Sequence, residues 1–178
     1  MMLSPSRPWL PCLCALLSLP ACMQDTGQDN TMPGTLLGTY AVNGTLTNST
    51  CGPSAFGSSE KWDFSVKLSR ESSKLYWYNG SEVITGTIGS DGKSFTFTTT
   101  VTGKVNDAMK GQKGCAMTRS DALVGALQGA GDEVTGFTGA MTYRFGQTTD
   151  SDCTEAVAEE GVVAFPCDMT YSLTAARQ

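Results

Sequence analysis

Cysteine offers the most chemistry in this 178-residue chain, and histidine is absent altogether. Without histidine there is no Ser-His-Asp or Cys-His relay, and the commonest transition-metal ligand is missing. Cys51, Cys115, Cys153 and Cys167 are spread along the chain with no C-x-x-C pair. In an exported protein such an even set reads as two disulfides. A four-thiolate zinc site is the alternative, and it fits poorly with this spacing in an oxidising compartment. Four cysteines allow three pairings, which sequence cannot separate. The pairing favoured here is Cys153–Cys167, closing a loop of about 15 residues worth ~3 kcal/mol, together with Cys51–Cys115.

Other chemical motifs are weaker. Ser58-Ser59-Glu60-Lys61 fits S-x-x-K, but that motif needs a helix and partner motifs, and no K-T-G occurs. Gly92-Lys93-Ser94 looks like the end of a phosphate loop. Gly86 is one residue too far upstream and a strand follows, so a hairpin turn is the better reading. Asp150, Asp152, Glu155, Glu159 and Glu160 crowd one segment and could offer hard oxygen ligands to calcium. No EF-hand spacing follows, and a solvated acidic loop is the plainer reading. No metal or cofactor is assigned.

The N-terminal stretch has one positive charge, Arg7, then an apolar run from Trp9 to Leu19 and small residues before Cys22. That is the pattern of an export signal. The run is broken by Pro11 and Pro20 and is shorter than the ~20 residues a membrane span needs. Leu19-Pro20-Ala21-Cys22 resembles the lipobox of bacterial lipoproteins, with Pro20 unusual at the variable position. The resemblance implies cleavage after residue 21 and lipid on Cys22, with two or three acyl chains giving stable anchoring. It also implies the outer membrane, because Met23 rather than Asp follows the cysteine. The expected organisation is a lipoprotein signal over 1–21, a lipidated tether over 22–35 and one domain over 36–178.

Removing residues 1–21 takes the net charge from −5 to −6. That balance argues against nucleic acid and anionic membrane faces as electrostatic partners. With 16% charged residues and 20 glycines, the composition is that of a turn-rich β protein. Period two dominates the domain. Tyr40, Val42, Gly44 and Leu46 share one face of the first run; Trp62, Phe64, Val66 and Leu68 share one face of the second. Further strands are expected at 74–78, 84–88, 95–101, 116–128, 137–145 and 167–174. Asn79-Gly80 marks a hairpin, residues 103–114 a loop, and Glu155–Glu160 one helical turn. The segment 116–128 also fits a helix started by Ser120, but Gly125 and Gly129 weaken it.

The expected fold is all-β: an eight-stranded antiparallel up-and-down barrel, with a two-sheet sandwich as runner-up. Gly38-Thr39-Tyr40 resembles the Gly-x-Trp opening of lipocalins and the similar opening of avidin-like barrels, with Tyr40 replacing Trp. Connections after the first, fifth and seventh strands are long, and those after the second, fourth and sixth are short. In an up-and-down order the long ones share one end, which also holds Cys51, Cys115, Cys153 and Cys167. The tether enters at the other end. Tyr40, Trp62, Phe64, Phe97, Tyr143 and Tyr171 are expected inside, with Trp77 or its neighbours Tyr76 and Tyr78. They either fill the core or line a ligand cavity, and the small inward residues Gly44, Gly86, Thr99 and Gly139 fit both readings. The functional expectation is a non-enzymatic, lipid-anchored envelope protein that binds or supports through its long loops. Its partner would be an unknown protein or a small apolar ligand. The alternatives are a lipocalin-like carrier of that ligand and a hydrolase using carboxylates.

Overall fold

The computed structural model describes residues 32–108 and 113–178. The expected signal segment, Cys22, Met23 and most of the expected tether lie outside the described residues. Eight strands follow in chain order: β1 (Thr35–Ser49), β2 (Lys61–Glu71), β3 (Lys74–Tyr78), β4 (Val83–Ile88), β5 (Ser94–Asn106), β6 (Cys115–Ala130), β7 (Glu133–Gln147) and β8 (Cys167–Arg177). Each pairs with its neighbours in sequence, and β1 pairs antiparallel with β8 from Tyr40↔Arg177 to Ser49↔Met169. The sheet is therefore a closed barrel with no free edge at the β1–β8 seam, which rules out the two-sheet sandwich.

The segment that also fitted a helix is one unbroken strand of 16 residues, β6. It pairs with β5 on one side and β7 on the other, so its ladders satisfy backbone groups that a glycine-weakened helix would hold poorly. β5 runs to Asn106, further than period two alone indicated, because β6 continues opposite it to Cys115. The helical turn is α1, Thr154–Glu159. A short 3-10 turn, Ala55–Gly57, lies in the β1–β2 connection.

The last residues of the expected tether, from residue 32, lie against the barrel. Met32 is buried, and the Ser69 hydroxyl, also buried, donates to the Pro33 carbonyl at 2.6 Å.

β3 and β4 are only 5 and 6 residues long, against 11 to 16 for the others. This shapes the wall. β3 pairs with β2 only over Lys67–Glu71, and β4 pairs with β5 only at Thr87↔Thr96 and Ile88↔Phe95. Lys61–Val66 of β2 and Phe97–Asn106 of β5 thus have no ladder on that side. Two strands separate β2 from β5, so above the β3–β4 hairpin their backbones stand about three strand spacings apart with no strand between them, leaving a notch in the wall.

The tight turns β2–β3, β4–β5 and β6–β7 share one end, the base. The long connections share the other. Both disulfides lie at the long-loop end, but their pairing corrects the one favoured from spacing: Cys51 joins Cys167, and Cys115 joins Cys153. Barrel closure is the reason. It sets the end of β1 beside the start of β8, bringing the Cα atoms of Cys51 and Cys167 to 4.9 Å. The start of β6 lies beside the end of β7, whose following loop returns Cys153 to 4.8 Å from Cys115. Three-dimensional adjacency overrides the short loop between Cys153 and Cys167.

Candidate functional site

All six aromatic residues expected inside point inward, and they are joined by further rings into a column. Tyr40 meets Phe137 at 5.9 Å, Phe137 meets Trp77 at 5.7 Å, and Trp77 meets Phe64 at 5.9 Å. Phe64 meets Trp62 at 4.3 Å, and Trp62 lies 6.1 Å from Tyr143 and 5.8 Å from Tyr171. Phe97 packs beside Trp77 at 5.8 Å. Of the three aromatic neighbours on β3, Trp77 is the one that joins the column. The Tyr76 hydroxyl donates to Glu71 and that of Tyr78 to the Gly80 carbonyl.

The lower part of the column is a filled core. Tyr40 and Phe137 are completely buried, with Leu68, Leu75, Leu123 and Leu173 around them. The small inward residues are occupied by their neighbours. A Cβ on Gly86 would lie 2.5 Å from Phe97, and one on Gly125 would lie 2.5 Å from Phe95. The cavity bounded by Trp77, Ile84, Phe97, Thr99, Asp121 and Leu123, where β4 splays from β5, measures about 40 Å³. That suits a water molecule, not an apolar ligand.

The long loops close the other end as a lid. Phe56 stacks on Phe145 at 4.3 Å and on Phe165 at 6.4 Å. The Phe56 N–H donates to the Glu160 carbonyl and the Val163 N–H to that of Cys51. Ala55 and Val162 are buried beneath, and the Tyr171 hydroxyl donates to the Ser59 carbonyl. The Cys51–Cys167 bridge ties these two loops together. On the lid's outer side an open groove of about 680 Å³ runs past Val157, Val163 and Phe165.

With the top lidded and the base filled, the notch above the β3–β4 hairpin leads to the aromatic column. Register places a group there that the sequence reading missed. Thr99, Asp121 and Tyr143 pair across β5, β6 and β7 and so share the inner face; Val101, Arg119 and Phe145 form the adjoining row. Arg119 donates to both oxygens of Asp121, at 2.8 and 2.9 Å. Its guanidinium lies 5.5 Å from the centre of the Tyr143 ring. The Asp121 side chain is 16% exposed and that of Arg119 48%, and Val101 at the rim is 52% exposed. Burial pushes the Tyr143 phenol well above the ordinary tyrosine range; Asp121 adds to this and Arg119 opposes it. The phenol therefore stays neutral, and among the described residues it makes no hydrogen bond. The signal for this group was in β6, where Met117, Arg119 and Asp121 hold the same parity as Leu123 and Leu127.

The other motifs resolve as local structure. Gly92-Lys93-Ser94 lies in the β4–β5 turn, with Asp91 accepting from the Lys93 and Ser94 N–H groups and the Ser94 hydroxyl. Ser58–Lys61 is a loop entering β2, and Ser58 Oγ is buried without a partner among the described residues. Asp152 accepts from the N–H and hydroxyl of Thr154 at the start of α1. Among the described residues no three acidic, cysteine or histidine side chains converge as a metal site.

These features define a closed eight-stranded β-barrel with a disulfide-stapled lid and a cleft in its side wall. Compared with known proteins, the chain matches no family model, no curated protein and no solved structure.

Proposed function

We propose that this is a lipid-anchored outer-membrane protein of the bacterial cell envelope, held through Cys22, that acts by binding and not by catalysis. The observation that carries the reading is the polarity of the barrel. The described chain enters β1 and leaves β8 at the tight base, so an anchor at Cys22 holds that end toward the bilayer. The lid, both disulfides and the side-wall cleft face away from it. A filled core argues for binding at the cleft or lid, and against a carrier with an apolar ligand enclosed in the barrel. Glycosidase-like hydrolysis needs two carboxylates facing a substrate. The carboxylate on the inner wall, Asp121, is instead held at both oxygens by Arg119.

Two measurements test the reading. Cys22→Ser protein is expected to leave the membrane fraction for the soluble one; retention with membranes sinks the anchor. Native mass spectrometry of gently purified protein is expected to show no enclosed apolar molecule. A stoichiometric fatty acid or similar molecule would revive the carrier alternative.

A further inference from the structure

We infer that the side-wall cleft is a binding site for a neutral saccharide. This rests on the reading of the protein as a binding barrel and assigns its ligand class. Three other ligand chemistries fit the lining less well. An apolar ligand would have to bury the remaining donors of Arg119 and lone pairs of Asp121 without a hydrogen-bond partner. A simple anion would meet a guanidinium already neutralised by Asp121. An organic cation would compete with Arg119, which already occupies both the carboxylate and the Tyr143 ring.

A neutral polyol matches each feature. An arginine carries five N–H donors, and two are used on Asp121, so three remain. Each Asp121 oxygen keeps a second lone pair. The pair therefore offers fixed donors and acceptors side by side with no net charge, as adjacent sugar hydroxyls require. The Tyr143 phenol, neutral and without a partner among the described residues, adds a donor or acceptor, and Thr99 on the same row adds another hydroxyl. The half-buried rings of Trp62 and Phe64 give apolar surface for the C–H face of a pyranose. The unpaired stretches of β2 and β5 leave the exposed Arg119 and Val101 side chains open from the side, so a sugar ring reaches this wall above the water-sized cavity without the lid opening.

The test uses the full-length protein in lipid nanodiscs, free of glycoside detergents. Maltotetraose, cellotetraose and an N-acetylglucosamine tetramer are titrated separately and read by tryptophan fluorescence and calorimetry. At least one is expected to bind, with at least a tenfold loss of affinity in Arg119→Gln and in Asp121→Asn. Val101→Lys, at the exposed rim, is expected to weaken binding with no change in melting temperature, which separates loss of the site from loss of the fold. Glu133→Gln, at the base, is expected to leave affinity unchanged. Failure of all three sugars overturns the inference, as does sugar binding that ignores the cleft variants. Palmitate or acetate binding at the cleft while the sugars fail would overturn the saccharide assignment and keep the binding barrel. The Cys22 fractionation is unaffected by either outcome.

Discussion

The base and the lid of this barrel solve the same problem by different means. At the base the chain reverses in tight turns at 72–73, 89–93 and 131–132, and side chains alone fill the interior. Tyr40 shows how complete that filling is. It is fully buried, and its hydroxyl shares its one proton between the carbonyls of Leu37 and Val134, at 3.2 and 3.1 Å. At the lid the chain makes long excursions whose apolar surface is modest. Their ordering entropy is offset by two disulfides and a stack of phenylalanines. Tyr143 shows the contrast: also inward-facing but only partly buried, with a phenol that makes no hydrogen bond among the described residues. A base closed by packing alone and a lid held by disulfides thus coexist in one barrel.

The largest effect should come from removing the staple. Cys51 and Cys167 are 116 residues apart, and the chain-entropy argument puts their bridge at ~4.8 kcal/mol. For Cys115 and Cys153, 38 apart, it gives ~3.9 kcal/mol. In the Cys51→Ser/Cys167→Ser double variant, hydrogen exchange should show lid amides losing more protection than β1, β7 and β8 amides near the base. Equal loss at both ends would mean that the barrel and its lid are one cooperative unit.

Core truncation sharpens the comparison next. Phe137 is fully buried and meets Tyr40, Trp77 and Phe95. Phe137→Ala should cost ~3–5 kcal/mol in denaturant unfolding. Phe56→Ala in the lid removes partly buried stacking and should cost about 1–2 kcal/mol. Equal costs would show that the lid is packed as tightly as the base.

The two tyrosines give a smaller, cleaner test. Tyr40→Phe should cost about 1–2 kcal/mol at neutral pH, because the buried hydrogen bond shared by the Leu37 and Val134 carbonyls is lost. Tyr143→Phe should cost nothing measurable there. Its effect lies in alkali. Burial raises the Tyr143 pKa above the ordinary 10.0, so its contribution is intact below pH 10 and falls as pH rises through the folded value. The variant should therefore hold its melting temperature to higher pH than the wild type. An unchanged alkaline limb would show that Tyr143 is already solvated.

The smallest effect is in acid. Asp91 at the base and Asp152 at the lid are both held below the ordinary 3.8 by hydrogen bonds, from Lys93 and Ser94 and from Thr154 respectively. Both contributions are present above pH 4 and fade as pH falls through the lowered values. Asp91→Asn and Asp152→Asn should each make the melting temperature slightly less steep between pH 2 and 5. A change confined to one variant would mark that end as the acid-sensitive one.

Most of the architecture was legible because period-two alternation is a local property. Trp62, Phe64, Val66 and Leu68 announce one buried face whatever they pair with, and the eight such runs and their connection lengths imply the up-and-down order. Even the polarity of the barrel follows, since odd and even connections must lie at opposite ends. Tertiary structure decided what depends on closure and shear. The pairing of Cys51 with Cys167 arises only because β1 and β8 become neighbours at the seam, a contact between distant parts of the chain. The filling of the core depended on which ring settles over which glycine, as Phe97 does over Gly86. The cleft depended on two strands being shorter than their neighbours and on a register that carries Arg119 and Asp121 to the inner wall. Alternation fixes the face of each residue within a strand, but only cross-strand register, set by the whole barrel, places Val101, Arg119 and Phe145 in one row.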